Sequence, residues 1–501
     1  MKTLKFSNYR RLFIIAIAVL IGGCDGLLDI EAENSLSGDI YTSDQNFEDA
    51  LNGAYVNLGG IYDGGDGGEL YGGDFQIIGT LLARTINTIF FWRASEAPAY
   101  QDFMDKDILQ INLRVEANWR RAYETINIVN GIIANIDRVD DSTLKDRIEG
   151  EARAIRGILY FELARFWGPQ YEASTINEPA VPILLDQIND ANEIPELTRS
   201  SVGDVYQRAI DDLEAAESLL GVLESRIDVN VCRAFLARIA MQQNEFNTAL
   251  GYLNQLIPNY SLNTNVMDAF NNTSISDEDV FVIQQNSVSS TGSIATRTGL
   301  VAHLASLNGV GFAALNINYE LLNIQSTFNN LPGFYTPDAR FVLQENLTTN
   351  SSANEVSNTA AYYNDVINTT QVSSAKFIRT DANIPVIRLA ELLLSRAEAI
   401  LEDGGFTSPV MGGALDDLNA VRTRSGLPAL LDTLTANAFY DSLVIERNRE
   451  LIYEGVYFHD LKRWAVSGRT DVFIGGRDPR SDMFILPIPQ SECDASPRLC
   501  N

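Results

Sequence analysis

Apolar positions recur along this chain at three- and four-residue spacing, the period of a helix with one buried face. The spacing predicts helices over about 44–58, 115–138, 144–167, 202–221, 229–243, 246–257, 386–403, 412–425 and 437–454. Start and stop signals sharpen several of them: Ser43-Asp44 suits a cap, Gly168-Pro169 ends the third, and Gly404-Gly405 ends the helix carrying Glu391 and Glu398. Leu236-Ala237, Ala240, Ala249, Leu253 and Leu256 alternate small and large residues, as do Leu394, Ala397 and Ile400 with Ala414, Leu418 and Val421. Small residues let antiparallel helices approach closely, which is the tetratricopeptide pattern, although alanine at this spacing suits any helical hairpin. The expected fold class is mostly α, with tetratricopeptide-like helix pairs forming a frame.

Four long segments interrupt the helical pattern. Residues 59–73 hold four glycine pairs with Tyr62 and Tyr71, and 169–200 hold Pro179, Pro182 and Pro195. Residues 286–315 are rich in Ser, Thr and Gly, and 345–374 in Asn, Ser and Thr. Long loops on a helical frame are where binding function concentrates, so they define the expected ligand face.

The start of the chain reads as an address. Lys2, Lys5, Arg10 and Arg11 precede an apolar run from Leu12 to Ile21, which ends at Gly22-Gly23-Cys24. This is a secretory signal pattern, too short to span a bilayer. A cysteine after two small residues is the bacterial lipobox pattern. It predicts removal of residues 1–23, acylation of Cys24 and a membrane contact through the lipid anchor only.

Charge and chemistry narrow the function classes. The net charge is −29, and losing four bases and no acid with the signal makes it −33. So acidic a chain repels nucleic-acid phosphates and anionic lipid. Cys232 lies in an apolar helical stretch and reads as a buried thiol. Cys493 and Cys500 flank a short turn and form a possible disulfide, with two free thiols as the alternative. Glu446, Glu450, Glu454, Arg447, Arg449, Asp460 and Arg463 crowd one block. Paired carboxylates there suit general acid–base work, but arginine forks among them suit a buried ion network, which is the reading adopted.

Two distant histidines, His303 and His459, make a zinc triad improbable, and the glycine cluster has no following GK[ST]. Asp63, Asp66 and Asp74 are a calcium alternative to plain turn chemistry. No catalytic residue, metal or cofactor is expected. For binding, Phe91, Trp92 and Tyr100 combine flat apolar faces with polar neighbours, the mix that holds a sugar ring. Tyr62, Tyr71, Phe312 and Tyr319 are weaker candidates, whereas Trp119, Trp167 and Trp464 lie within helix blocks and read as core.

Several ordered blocks carry a resemblance. They run Val386 to Leu394, Leu418 to Pro428, Glu446 to Gly455, Phe458 to Trp464 and Leu486 to Pro489, preceded by Cys24 to Ile30, Phe47 to Tyr55 and Trp119 to Tyr123. In this order the chain resembles the SusD/RagB family over nearly all of its length beyond Cys24. Its tail departs from the family's common Pro-Gly-Tyr ending and carries Cys493 and Cys500 instead.

The resemblance implies a non-enzymatic outer-membrane lipoprotein of Gram-negative bacteria that faces the cell exterior. It would bind a nutrient, most often a glycan, and form a lid over a SusC-like TonB-dependent transporter. It also implies a loop-rich ligand face on one side of the helical frame, with a tryptophan near the position of Trp92 stacking on ligand. Residues 24–501 would form one such domain, with an N-terminal part to about 330 and a C-terminal signature part over 331–501. A peptide-binding lid, a glycosidase and a docking scaffold are the alternatives.

Overall fold

The computed structural model describes residues 40–60, 68–83, 88–90, 97–189, 196–223, 226–284, 300, 315–318, 340, 362–364, 371–374, 376–377, 382–404 and 413–500. The chain divides into two units, Met1–Ile40 with Ile188–Ile194, and Tyr41–Gln187 with Pro195–Asn501. Every element named below belongs to the second.

Local signals set most helix starts. α1, Asp44–Leu58, is capped by the Ser43 side chain, which accepts from the Asn46 amide, and it buries Phe47, Leu51, Ala54 and Leu58 on one stripe. α2 (Asp74–Leu82) and α3 (Ala97–Asp105) follow. α4, Leu113–Asn135, is capped by Asn112, and α5, Ser142–Trp167, by Asp141. α5 is buried on nearly all sides from Glu151 onward, as befits a helix with neighbours all round, and it packs on α4 and on α6, Val202–Leu219. α7 (Val229–Gln242) and α8 (Phe246–Leu256) form a hairpin; α7 also packs on α6. α8 packs on α9, Leu389–Asp403, which pairs in turn with α10, Gly413–Arg424. α11 (Ala436–Glu450), α12 (Tyr457–Val466) and α13 (Gln490–Ala495) complete the described helices. Each successive contact buries an apolar stripe that one helix cannot bury alone.

Six strands are described. β2 (Asp279–Ile283) pairs antiparallel with β6 (Ile384–Arg388), Asp279 opposite Arg388. The others form one antiparallel sheet in the order β1-β3-β5-β4, built from Thr88–Phe90, Leu315–Asn318, Gln371–Ser374 and Tyr362–Asn364.

The mostly helical expectation holds, with local corrections. The predicted helix 386–403 begins as β6 and becomes helical only at Leu389, because an unbroken apolar run carries no period to separate the two. The predicted helix 437–454 stops at Glu450, and Tyr453 and Gly455 then adopt φ of 64° and 78°. α2 and α12 are absent from the periodicity for a shared reason. Nearly every position of either is buried, including Asp74, His459, Asp460, Lys462 and Arg463, so polarity does not report which side faces inward. At the C-terminal end Cys493 and Cys500 form a disulfide with Cα atoms 5.7 Å apart, and Cys232 is a buried free thiol. Trp119, Trp167 and Trp464 are core residues.

One close approach locks α2 to the turn before α12. A Cβ at Gly79 would collide with the Gly455 carbonyl, and one at Gly455 would lie 2.6 Å from the Gln76 Cα. The left-handed φ at Gly455 adds a backbone penalty for any other residue. Gly455→Ala is expected to lower stability by roughly 2–4 kcal/mol, from overpacking and the left-handed backbone together. An unchanged denaturation midpoint would contradict this packing.

Candidate ligand face and its supporting charge network

The acidic–basic block of α11 and α12 is interior. Arg388, at the end of β6, donates from Nη1 to Glu278 Oε1 and Glu450 Oε1 at 2.6 Å each, and from Nε to Glu454 Oε2 at 2.8 Å. Arg340 pairs with Glu450 (2.8 Å) and Glu446 (2.7 Å), and Arg424 with Glu278 and Glu450. Lys376 Nζ donates to Glu454 Oε1 at 2.8 Å and to the Glu450 carbonyl at 2.7 Å. Burial alone would raise the Glu450 carboxyl, but Arg424, Arg388, Arg340 and Lys376 hold it well below the usual carboxylate range. Glu454 shares this cluster although it lies beyond the end of α11.

A second group joins α9, α11 and α12. Arg463 donates to both Glu398 and Asp460, and Arg447 grips Asp460 with two bonds of 2.9 and 3.0 Å. Trp464 Nε1 donates to Glu398 Oε1 at 2.7 Å. Arg449 is half-buried. His459 is buried and pushed well down by burial and by the charges of Arg165, Lys462 and Arg238, so it stays neutral. These acids are held by arginine forks, the arrangement of a structural network.

A third group lies just beyond the glycine-rich segment. Asp74 accepts from Tyr100 OH at 2.6 Å and from Arg114 Nε at 2.9 Å, and Asn118 Oδ1 accepts the Leu70 amide at 2.7 Å. Tyr71 OH donates to Glu162 Oε1 at 2.5 Å. Tyr71 and Tyr100 are 3% and 0% exposed, so neither offers a ring face to ligand, contrary to the sequence expectation. The physical reason is that each hydroxyl has a buried carboxylate to satisfy. Asp74 is likewise committed to Arg114 and Tyr100 and does not offer itself to calcium. Among the described residues no cluster suits a metal.

Trp92, Phe91, Tyr62, Phe312, Tyr319, Cys24, Asp63, Asp66 and His303 lie outside the described residues. For Phe91, Trp92, Phe312 and Tyr319, the adjoining strands are described and pair with one another. Phe90 pairs with Leu315, and Ile317 with Val372. Phe91 and Trp92 follow β1 directly in sequence, Phe312 precedes β3 by three residues, and Tyr319 follows it. The two aromatic regions and the Asn/Ser/Thr-rich segment thus contribute strands to one sheet. Sequence reasoning missed these strands, which are three or four residues long and carry little alternation.

A frame of packed helices with a small antiparallel sheet that joins distant parts of the chain defines a mostly helical architecture. Two family models match, one described as SusD family over residues 335–501 and one as "Starch-binding associating with outer membrane" over 73–240. The chain belongs to the SusD/RagB family. It is 23% identical over 426 residues to "SusD-like protein P2" of Formosa agariphila, covering 76% of this chain and 78% of that one. A solved SusD superfamily protein of Bacteroides thetaiotaomicron superposes with a TM-score of 0.71 at 22% identity, covering 91% of this chain and 99% of its own. A "SusD-like carbohydrate binding protein" of Bacteroides vulgatus gives 0.69 at 19%, covering 91% and 97%.

Two outcomes follow from the networks. Glu450→Gln leaves buried guanidinium groups without their charge partner and is expected to cost about 3–5 kcal/mol, read from the denaturation midpoint. Unchanged stability would remove Glu450 from the centre of the network.

Glu69 provides the pH-dependent test. Its carboxyl is buried, 3.9 Å from Arg114 Nη1, and neither oxygen has a hydrogen-bond partner among the described residues. Burial pushes it up to about 7, against the pull of Arg114 and with the Asp74 charge adding to the rise. A carboxyl raised on folding stabilises the native state fully below its unfolded value near 4.5, and that contribution is lost as pH rises through about 7. Glu69→Gln should therefore flatten the decline in stability between those two pH values, a decline of roughly 3 kcal/mol at most. Identical pH profiles for the two proteins would contradict the assignment.

Proposed function

We propose that this chain is a cell-surface lipoprotein that binds a carbohydrate nutrient and serves as the lid and partner of a SusC-like TonB-dependent outer-membrane transporter. The observation that carries the carbohydrate reading is the juxtaposition of β1 and β3, which joins the segments bearing Trp92 and Phe312 in one sheet. The family descriptions, starch-binding and outer-membrane-associated, support the same reading. Trp92 is the proposed stacking platform, and Phe91, Tyr62, Phe312 and Tyr319 are the further proposed ligand residues. Cys24 is the proposed lipid anchor. Among the described residues no helix is long and apolar enough to cross a membrane.

The glycosidase alternative, which would use acids of this block, is disfavoured because Glu446, Glu450 and Asp460 are buried and paired with arginines, so none of the three is placed to protonate a leaving group. A peptide ligand has no comparable observation in its favour.

Trp92→Ala should weaken binding of whichever neutral oligosaccharide a calorimetric panel identifies by about 2 kcal/mol or more, with the circular dichroism spectrum unchanged. Loss of the fold would make Trp92 a core residue. Undiminished affinity would move the site away from β1.

A further inference from the structure

A groove of about 810 Å³ is walled by the segment before α7, the first turn of α7, the turn after α8 and β2. Its size falls within the roughly 300–1,000 Å³ of small-molecule sites. None of its described wall residues belongs to the four-stranded sheet.

The charges in this wall are already committed. Arg226 Nε donates to Glu151 at 2.6 Å, Arg233 to Glu217 at 2.7 Å, and Asp228 caps α7 by accepting the Val231 amide. An ionic ligand would have to break one of these pairs. Asp279 is only 7% exposed and accepts the Ser276 amide at 2.8 Å, so its charge is committed as well. What the wall offers is neutral: the exposed side chain of Asn259, which also donates to the Gln255 carbonyl at 3.1 Å, and the exposed hydroxyls of Thr273 and Ser274. A ligand hydroxyl both donates and accepts, so it suits the exposed Asn259 amide and the Thr273 and Ser274 hydroxyls. Tyr260 supplies a half-buried ring, and Val222 and Ile275, 74% and 44% exposed, extend the apolar surface beside it.

We infer that this groove is a second carbohydrate subsite for a neutral oligosaccharide, with Tyr260 as its platform and Asn259, Thr273 and Ser274 as its hydroxyl partners. The inference rests on the carbohydrate reading of the chain but assigns a surface separate from Trp92. A second subsite would let one glycan chain, or two, engage the protein at two places and raise the effective local concentration at each.

Hydroxyl-radical footprinting of the intact protein tests it, with maltohexaose, cellohexaose, xylohexaose, mannohexaose and a random hexapeptide mixture as separate probes. At least one hexasaccharide should protect both Tyr260 and Ile275. Asn259→Ala, at an exposed position, and Tyr260→Ala should each raise the concentration needed for that protection about tenfold. Protection confined to the region of Trp92 would overturn the second subsite and leave the proposed function standing. Absence of protection anywhere, with every hexasaccharide, would overturn both. Protection of the groove by the hexapeptides alone would make it a peptide site and overturn the inference.

Discussion

The C-terminal half of this protein depends on a constraint at Glu450. A carboxylate removed from water is tolerated only when fully paired, and here the pairing must come from three separate stretches of chain. Arg388 reaches it from the end of β6, Arg424 from the end of α10 and Arg340 from a residue far from both in sequence. Glu278, just ahead of β2, closes the ring by sharing Arg388 and Arg424. None of these elements can be displaced without leaving a buried charge unmatched. The network therefore fixes relative positions more than it adds net stability, since a buried ion pair often does little better than an apolar substitute.

That rigidity bears on function. Glu398 on α9, Arg447 on α11 and Asp460 and Arg463 on α12 are buried and paired with one another, so their charges serve to hold the three helices together. The segments proposed for recognition are bounded by described parts of the frame. The glycine-rich segment leads into the Leu70–Gly72 turn, where the Leu70 amide is tied to Asn118 and Tyr71 to Glu162. The Ser/Thr-rich and Asn-rich segments enter the four-stranded sheet. Loops anchored in this way can vary in sequence without disturbing the helices that carry them.

The helical frame was largely legible in the sequence because its helices are amphipathic and capped by local residues. Ser43, Asn112, Asp141, Ser201 and Asp228 all cap through their own side chains. Legibility failed where burial is complete. α12 alternates charged and apolar residues that are all interior, so its pattern does not separate inside from outside. The same ambiguity turned the first residues of a predicted helix into β6. At the candidate site, Tyr71 and Tyr100 have the composition of ligand platforms, but composition does not reveal that Glu162 and Asp74 wait beneath them. The pairing of β1 with β3 joins residues more than two hundred positions apart, and no local signal carries that information.

Hydrogen–deuterium exchange on the full chain, with and without saturating oligosaccharide, is the most direct test of a rigid charged frame carrying a separate ligand face. Amides of α9, α11 and α12 should be among the slowest to exchange and should not change on binding, while protection rises at β1 and β3. Ligand-induced protection centred on Glu446 to Trp464, with β1 and β3 unaffected, would place recognition in the charged block and contradict the account.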